Sequence, residues 1–277
     1  MVAAINRPVF EVVQTAPRVF SRRLPLHPQC CYFAYCPPGK VDANCLFVSV
    51  HGITRNALEH ALLFKPWADR YGIALVAPLF SRKNFRRYQT LNAAEGSLHA
   101  DGALDLMLDD AKAIFSIPNA KTHLFGYSGG AQFAHRYTLK HPHRVVRAAF
   151  GAAGWYTFPD PALAFPYGFG AERNGQPFAD MSVLARFPPS LVIVGSEDKT
   201  RDDALNKTPQ IDRQQGRHRV ARARRWVNAM NAAADESKLP RRCSLEILLG
   251  ASHTFATSMH AHGMGKAVFE FLFYQPE

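Results

Sequence analysis

The sequence has no apolar run near the ~20 residues that a membrane-spanning helix requires, its hydrophobic stretches at 45–50, 73–78 and 191–194 being far shorter. No transmembrane helix is expected. An export leader needs an uninterrupted apolar stretch of about 7–15 residues close to the start, and Asn6 and Arg7 interrupt that region. The chain therefore reads as cytoplasmic, the alternative being an exported protein given as its mature chain. Cysteine is scarce, and Cys30, Cys31, Cys36, Cys45 and Cys243 show no repeated C-x-x-C pairing and cannot all be joined within one chain. Reduced thiols are expected. Metal-ligating clusters and phosphate-binding glycine loops are missing, so no metal and no other cofactor is implied. Helix-turn-helix, RNA-recognition and zinc signatures are missing too, which makes a nucleic-acid-binding protein the lesser alternative. Acidic residues are the minority charge, 22 Asp and Glu against 33 Lys and Arg, for a formal net charge of +11. On a folded domain such a surplus concerns partners and solubility rather than fold, and it asks for an anionic partner.

What is present is the material of a folded core: 277 residues, 47% apolar and 20% charged. From about residue 45 onward, short β-rich runs at 45–50, 74–78, 122–125, 146–151, 191–194 and 245–249 alternate with stretches of helical period at 57–71, 99–115, 130–140, 218–234 and 264–273. That alternation predicts an α/β architecture with a mostly parallel sheet, and the continuously apolar runs suit strands covered on both faces. The proline-rich stretch before residue 45 predicts antiparallel edge strands. No linker or internal repeat divides the chain, so residues 1–277 read as one domain. Residues 154–189, without a clear period, read as a small cap or an active-site insertion.

The chemistry starts at Gly126-Tyr127-Ser128-Gly129-Gly130, a G-x-S-x-G motif directly after an apolar strand and directly before a helix. A serine at that sharp turn is forced into a strained backbone conformation, and glycines two residues to either side let neighbouring chains come close. Its hydroxyl stands above the sheet, and the helix N-terminus favours an oxyanion. A hydroxyl is a poor nucleophile at neutral pH, so Ser128 needs a base, and the base needs a group to orient it. Gly195-Ser196-Glu197-Asp198 follows the strand at 191–194 and supplies Asp198 as the acid, with Glu197 as the alternative. Ser252-His253 follows the last β run and supplies the base. His135, His141 and His143 lie on or just after the helix behind Ser128, and His260 and His262 are expected to begin the terminal helix; none follows a late strand as His253 does. His51-Gly52-Ile53-Thr54-Arg55-Asn56 follows the strand at 45–50 and is the expected oxyanion loop, Gly129 giving one backbone N–H and either Ile53 or Thr54 the other. His51 itself is expected to brace that loop by bonding a backbone carbonyl.

This ordered set resembles the α/β-hydrolase superfamily over most of the chain, and more narrowly is similar to the polyhydroxybutyrate-depolymerase and feruloyl-esterase-like branch. The resemblance implies a serine hydrolase acting on esters, and in some members on amide polymers such as poly(aspartic acid), with Ser128, Asp198 and His253 in the triad roles. A binding module on a dead hydrolase scaffold would have lost one of the three, and all are present. The cations fall near the expected site. Arg82, Lys83, Arg86 and Arg87 lie in the loop after the strand at 74–78, Arg55 stands beside the oxyanion donor, and Tyr127 lies within the nucleophile motif. These six are the candidate substrate-binding residues, arginine offering paired donors to carboxylates. Lys199 to Arg225 holds nine basic residues against three acidic ones, of which Arg222, Arg224 and Arg225 read as a solvated helix face. The expected substrate is a small or polymeric ester or amide, anionic if the basic loop faces the site. Oligomeric state is left open.

Overall fold

The computed structural model describes residues 18–91, 96–172 and 174–273, so the interrupted apolar start at Asn6 and Arg7 lies outside the described residues. Strands β1 (Phe20–Arg23), β2 (Cys31–Tyr35), β3 (Cys45–Val50), β4 (Ala74–Leu79), β5 (Lys121–Tyr127), β6 (Val145–Gly151), β7 (Ser190–Gly195) and β8 (Cys243–Leu248) form one sheet in the order β1-β2-β4-β3-β5-β6-β7-β8. β1 pairs antiparallel with β2, and β2 antiparallel with β4; every other pairing is parallel. The sheet is thus parallel through its core with an antiparallel pair at one edge, as the residue pattern predicts.

Burial follows from position in the sheet. In β7 all six residues are buried, because helices cover both faces. In β1, at the edge, half-buried and exposed residues alternate with the two-residue period of a strand. The same period splits the core. Leu46, Val48 and Val50 point to the face covered by α2 (Ala100–Ile114), α3 (Gly129–Lys140) and α6 (Arg219–Glu236), while Phe47 points to the face covered by α1 (Ala57–Tyr71) and α8 (Met264–Phe273). Residues 154–189 carry an isolated bridge between Ala171 and Pro177 and the short α4 (Val183–Arg186). They send Tyr156, Phe169 and Phe187 into the same core as the first sheet face.

Two short helices depart from the sequence reading, α5 (Pro209–Gln215) and α7 (Phe255–Ala261). The second corrects the expectation for two histidines. His260 lies in α7, and His262 follows it with its ring bonded to the Leu249 carbonyl at 2.9 Å. Gly263, at φ +71°, separates them from α8. The solvated face expected of α6 also needs correction at one position. Arg224 and Arg225 are exposed, but Arg222 is fully buried. Its guanidinium donates to the carbonyls of Gly154 (2.5 Å), Gly216 (2.8 Å) and Asn206 (2.8 Å) and to Asp212 (2.9 Å), which tie α6 to α5 and to the loops around it. All five cysteines are free. No helix among the described residues is long and apolar enough to cross a membrane.

Candidate active site

Ser128 sits between β5 and α3 with φ +53° and ψ −113°, in the region that disfavours side chains. Its conformation is enforced by crowding. A Cβ on Gly126 would collide with the carbonyl of Gly130, and one on Gly130 with the carbonyls of Val50 and His51. Strand, turn and helix can therefore meet only where these positions lack side chains. The Ser128 amide donates to the Gly151 carbonyl at 2.7 Å, which ties the turn to the end of β6.

The loops after β7 and β8 are stitched to each other. Ser196 N–H donates to Leu248 O at 2.9 Å, Glu197 N–H to Ala251 O at 3.0 Å, and Gly250 N–H to the Ser196 hydroxyl at 2.9 Å. This stitching turns Asp198 inward and Glu197 outward. Asp198 is buried, whereas the Glu197 side chain is exposed and accepts from its neighbour Ser196. His253 Nδ1–H donates to Asp198 Oδ2 at 2.7 Å, and the Ser128 hydroxyl donates to His253 Nε2 at 3.0 Å. The proton sits on Nδ1 because a carboxylate can only accept there, leaving Nε2 free to take the serine proton. Three residues distant in sequence thus form one hydrogen-bonded line.

The loop after β3 comes up against the start of α3. The Ile53 amide nitrogen lies 3.3 Å from the place a Cβ on Gly129 would occupy. Among the described residues, neither the Ile53 nor the Gly129 N–H has an acceptor. Thr54 is exposed, with its hydroxyl donating to Asn56 Oδ1 at 2.7 Å. His51 braces the loop: its ring bonds the Gly52 carbonyl at 2.8 Å and accepts from Phe80 N–H at 3.0 Å. Burial pushes its pKa down to about 4, so it is neutral.

Of the other candidates, Tyr127 is buried, its ring stacked on that of His253 at 5.5 Å; burial raises its phenol pKa and keeps it neutral. Arg55 is half-buried at φ +66° and donates to the carbonyls of Phe80, Phe85 (3.1 Å) and Arg86 (3.2 Å), with its guanidinium 4.4 Å from the Tyr88 ring centre. It fastens the basic loop to the loop that carries Ile53. Arg82, Lys83, Arg86 and Arg87 are exposed, and none forms an ion pair with another described residue.

Three residues of this neighbourhood escaped sequence reading. Tyr88 donates its hydroxyl to the His51 carbonyl at 2.8 Å beneath the same loop. Arg219 and Asp202 stand behind Asp198, where Arg219 Nη1 donates to Asp198 Oδ1 at 3.2 Å and to Asp202 Oδ2 at 2.9 Å. No motif marks these positions in the sequence. Among the described residues, no group of three or more His, Cys, Asp or Glu side chains could hold a metal ion.

No family model matches the chain, and no curated protein does. Solved structures do. The chain is similar to poly(aspartic acid) hydrolase-1 from Sphingomonas sp. KT-1, with TM-score 0.79 and 24% identity over 92% of this chain and 99% of that one. It is similar to a poly(3-hydroxybutyrate) depolymerase from Bordetella parapertussis, with TM-score 0.74 and 26% identity over 95% of this chain and 92% of that one. An S-formylglutathione hydrolase from Agrobacterium tumefaciens shares the fold at TM-score 0.56 and 20% identity, over 92% and 94% of the two chains. Fold, motif order and the Ser-His-Asp line together make this chain a serine hydrolase of the α/β-hydrolase superfamily, resembling its depolymerase-like branch.

Proposed function

We propose that the chain cleaves carboxylic esters through an acyl-enzyme on Ser128, and that its natural substrate is anionic or polymeric. The observation that carries the chemistry is the hydrogen-bonded line from Ser128 through His253 to Asp198, with links of 3.0 and 2.7 Å. As Ser128 Oγ attacks the carbonyl carbon, its proton passes to His253 Nε2, and Asp198 stabilises the imidazolium formed. The oxyanion accepts from the N–H groups of Gly129 and Ile53; the approach of Ile53 nitrogen to Gly129 supports Ile53 over Thr54 as the second donor. His253 then returns the proton to the leaving oxygen as the tetrahedral carbon collapses to the acyl-enzyme. Water repeats the cycle and frees the acid.

The anionic preference draws on the exposed Arg82, Lys83, Arg86 and Arg87, held beside the Ile53 loop by Arg55. It also draws on the similarity to a poly(aspartic acid) hydrolase, which favours a second reading in which the bond cut is an amide of an acidic polymer.

One set of assays tests both parts. Ser128→Ala and His253→Ala should each remove about 10³–10⁶ of turnover with the fold intact, and Asp198→Ala less. A fluorophosphonate should label the wild type and not Ser128→Ala; labelling that survives the substitution overturns the nucleophile assignment. Raising salt to about 0.5 M should lower kcat/KM several-fold for an anionic ester and leave a neutral ester of similar size nearly unchanged. Arg86→Glu with Arg87→Glu should reproduce that loss at low salt. Equal salt responses would leave a general carboxylesterase, and turnover of poly(aspartic acid) would select the amide reading.

A further inference from the structure

Behind the triad lies a second charged group that the chemistry above does not use. Arg219 opens α6, and its side chain is 1% exposed. A guanidinium cannot be left buried without partners, since its desolvation costs several kcal/mol. Asp202 supplies most of what it needs: Nη1 donates to Oδ2 at 2.9 Å and Nη2 to Oδ1 at 3.0 Å, a paired fork. Asp202 is itself fixed, accepting from Leu205 N–H at 2.9 Å. Burial alone would raise the pKa of Asp202, but the bonds and charge of Arg219 hold it below the usual carboxylate range. The remaining capacity of Nη1 is directed at Asp198 Oδ1, at 3.2 Å.

Asp198 is fully buried, and its two oxygens have different donors, Arg219 on Oδ1 and His253 on Oδ2. A carboxylate with one donor can turn about its last bond and present either oxygen at a range of angles. With a second, immovable donor it cannot. A lone arginine at this place would fix the geometry but neutralise the negative charge that His253 needs when it takes the serine proton. Asp202 removes that conflict, because two carboxylates and one guanidinium sum to the same −1 as an isolated Asp198.

We propose that Arg219, clamped by Asp202, is a positioning residue of the triad: it occupies Oδ1 of Asp198 so that Oδ2 is presented to His253 in one fixed orientation, while Asp202 preserves the net charge. The proposal rests on the triad reading above and deepens it. Charge and orientation are separable by substitution. Asp202→Asn keeps the arginine but cancels the net charge, Arg219→Lys keeps the charge but loses the fork, and Arg219→Met with Asp202→Asn restores −1 without the fixed donor.

The test measures kcat and KM on a neutral ester, the rate of fluorophosphonate labelling, and the low-field proton resonance of His253 Nδ1–H. Asp202→Asn and Arg219→Lys should each lower kcat and the labelling rate about tenfold with KM nearly constant. The double variant should stay below wild type, and its Nδ1–H resonance should broaden or move. Arg219→Met alone strips the buried Asp198 of its cationic donor while Asp202 keeps its charge, and it is the variant at risk of not folding. Asp202→Asn, at a side chain 34% exposed, keeps the test decisive. Folded Asp202→Asn and Arg219→Lys with wild-type kcat and resonance would overturn the proposal, as would a rise in KM at constant kcat. Those outcomes are distinct from failure of the triad reading, which would appear as turnover surviving in Ser128→Ala.

Discussion

At Ser128 the sterics of a single turn set the chemistry. The strained φ of +53° is held because Gly126 and Gly130 allow β3, β5 and α3 to touch backbone to backbone. Gly130→Ala should therefore destabilise the fold by more than about 3 kcal/mol, since the added methyl meets the carbonyls of Val50, at the end of a central strand, and of His51, in the braced loop just after it. A denaturant midpoint unchanged from wild type would contradict this account. The same steric demand makes the motif legible in sequence: only glycine fits, so glycine is written there. The choice between Glu197 and Asp198 is less legible, because adjacent carboxylates differ only in which way the loop turns. The stitching between the β7 and β8 loops decides it, and those bonds join residues some 50 positions apart, as in Gly250 to Ser196. Arg219 is less legible again, since nothing local distinguishes a buried arginine from the exposed ones around it.

Among elements, α6 shows what a charge pattern can and cannot tell. Its basic residues look alike in sequence, yet Arg222 bonds four groups in the interior while Arg224 faces solvent. Arg222→Met should cost about 3 kcal/mol, the low end of the range for breaking a buried ion pair, because Asp212 keeps Arg201 at 2.8 Å. Arg224→Ala should change stability by less than about 0.5 kcal/mol. Comparable urea midpoints for the two variants would show the buried network to be energetically idle. Long elements were legible from period alone, and α1 and α8 span the residues expected of them. The seven-residue α5 and α7 were not, because two turns of helix give too few repeats for a period to stand out.

For the whole molecule, the buried histidines set the response to acid. His51 and His123 have pKa values pushed down to about 4 by burial, and burial holds His60 and His135 well below the ordinary 6.5. These groups bind protons more readily unfolded than folded, so their contribution is complete above about pH 6.5 and is lost as pH falls through their folded-state values, about 4 for His51 and His123. For His51 and His123, the fall from 6.5 to about 4 corresponds to up to about 3 kcal/mol apiece at the acid end. Thermal unfolding at pH 7.5, 5.5 and 4.5 should show the midpoint falling steadily across that window. Asp101, held near 2 where His141 and Lys140 outweigh its burial, adds its loss only at still lower pH. A midpoint constant from pH 7.5 to 4.5 would mean that these rings open to water without unfolding.

The strand order carries one more consequence, for the time at which the chemistry becomes available. Ser128 and His253 are 125 residues apart, and β8, which delivers His253, takes the sheet edge beside β7. On a ribosome the serine turn and its helix are finished while the histidine has yet to be translated. A growing chain in that condition holds a strained hydroxyl with no partner to accept its proton, and it is chemically silent. On the proposed mechanism hydrolysis begins only when the late strand docks, so the first turnover by a newly made molecule would mark the closing of its fold.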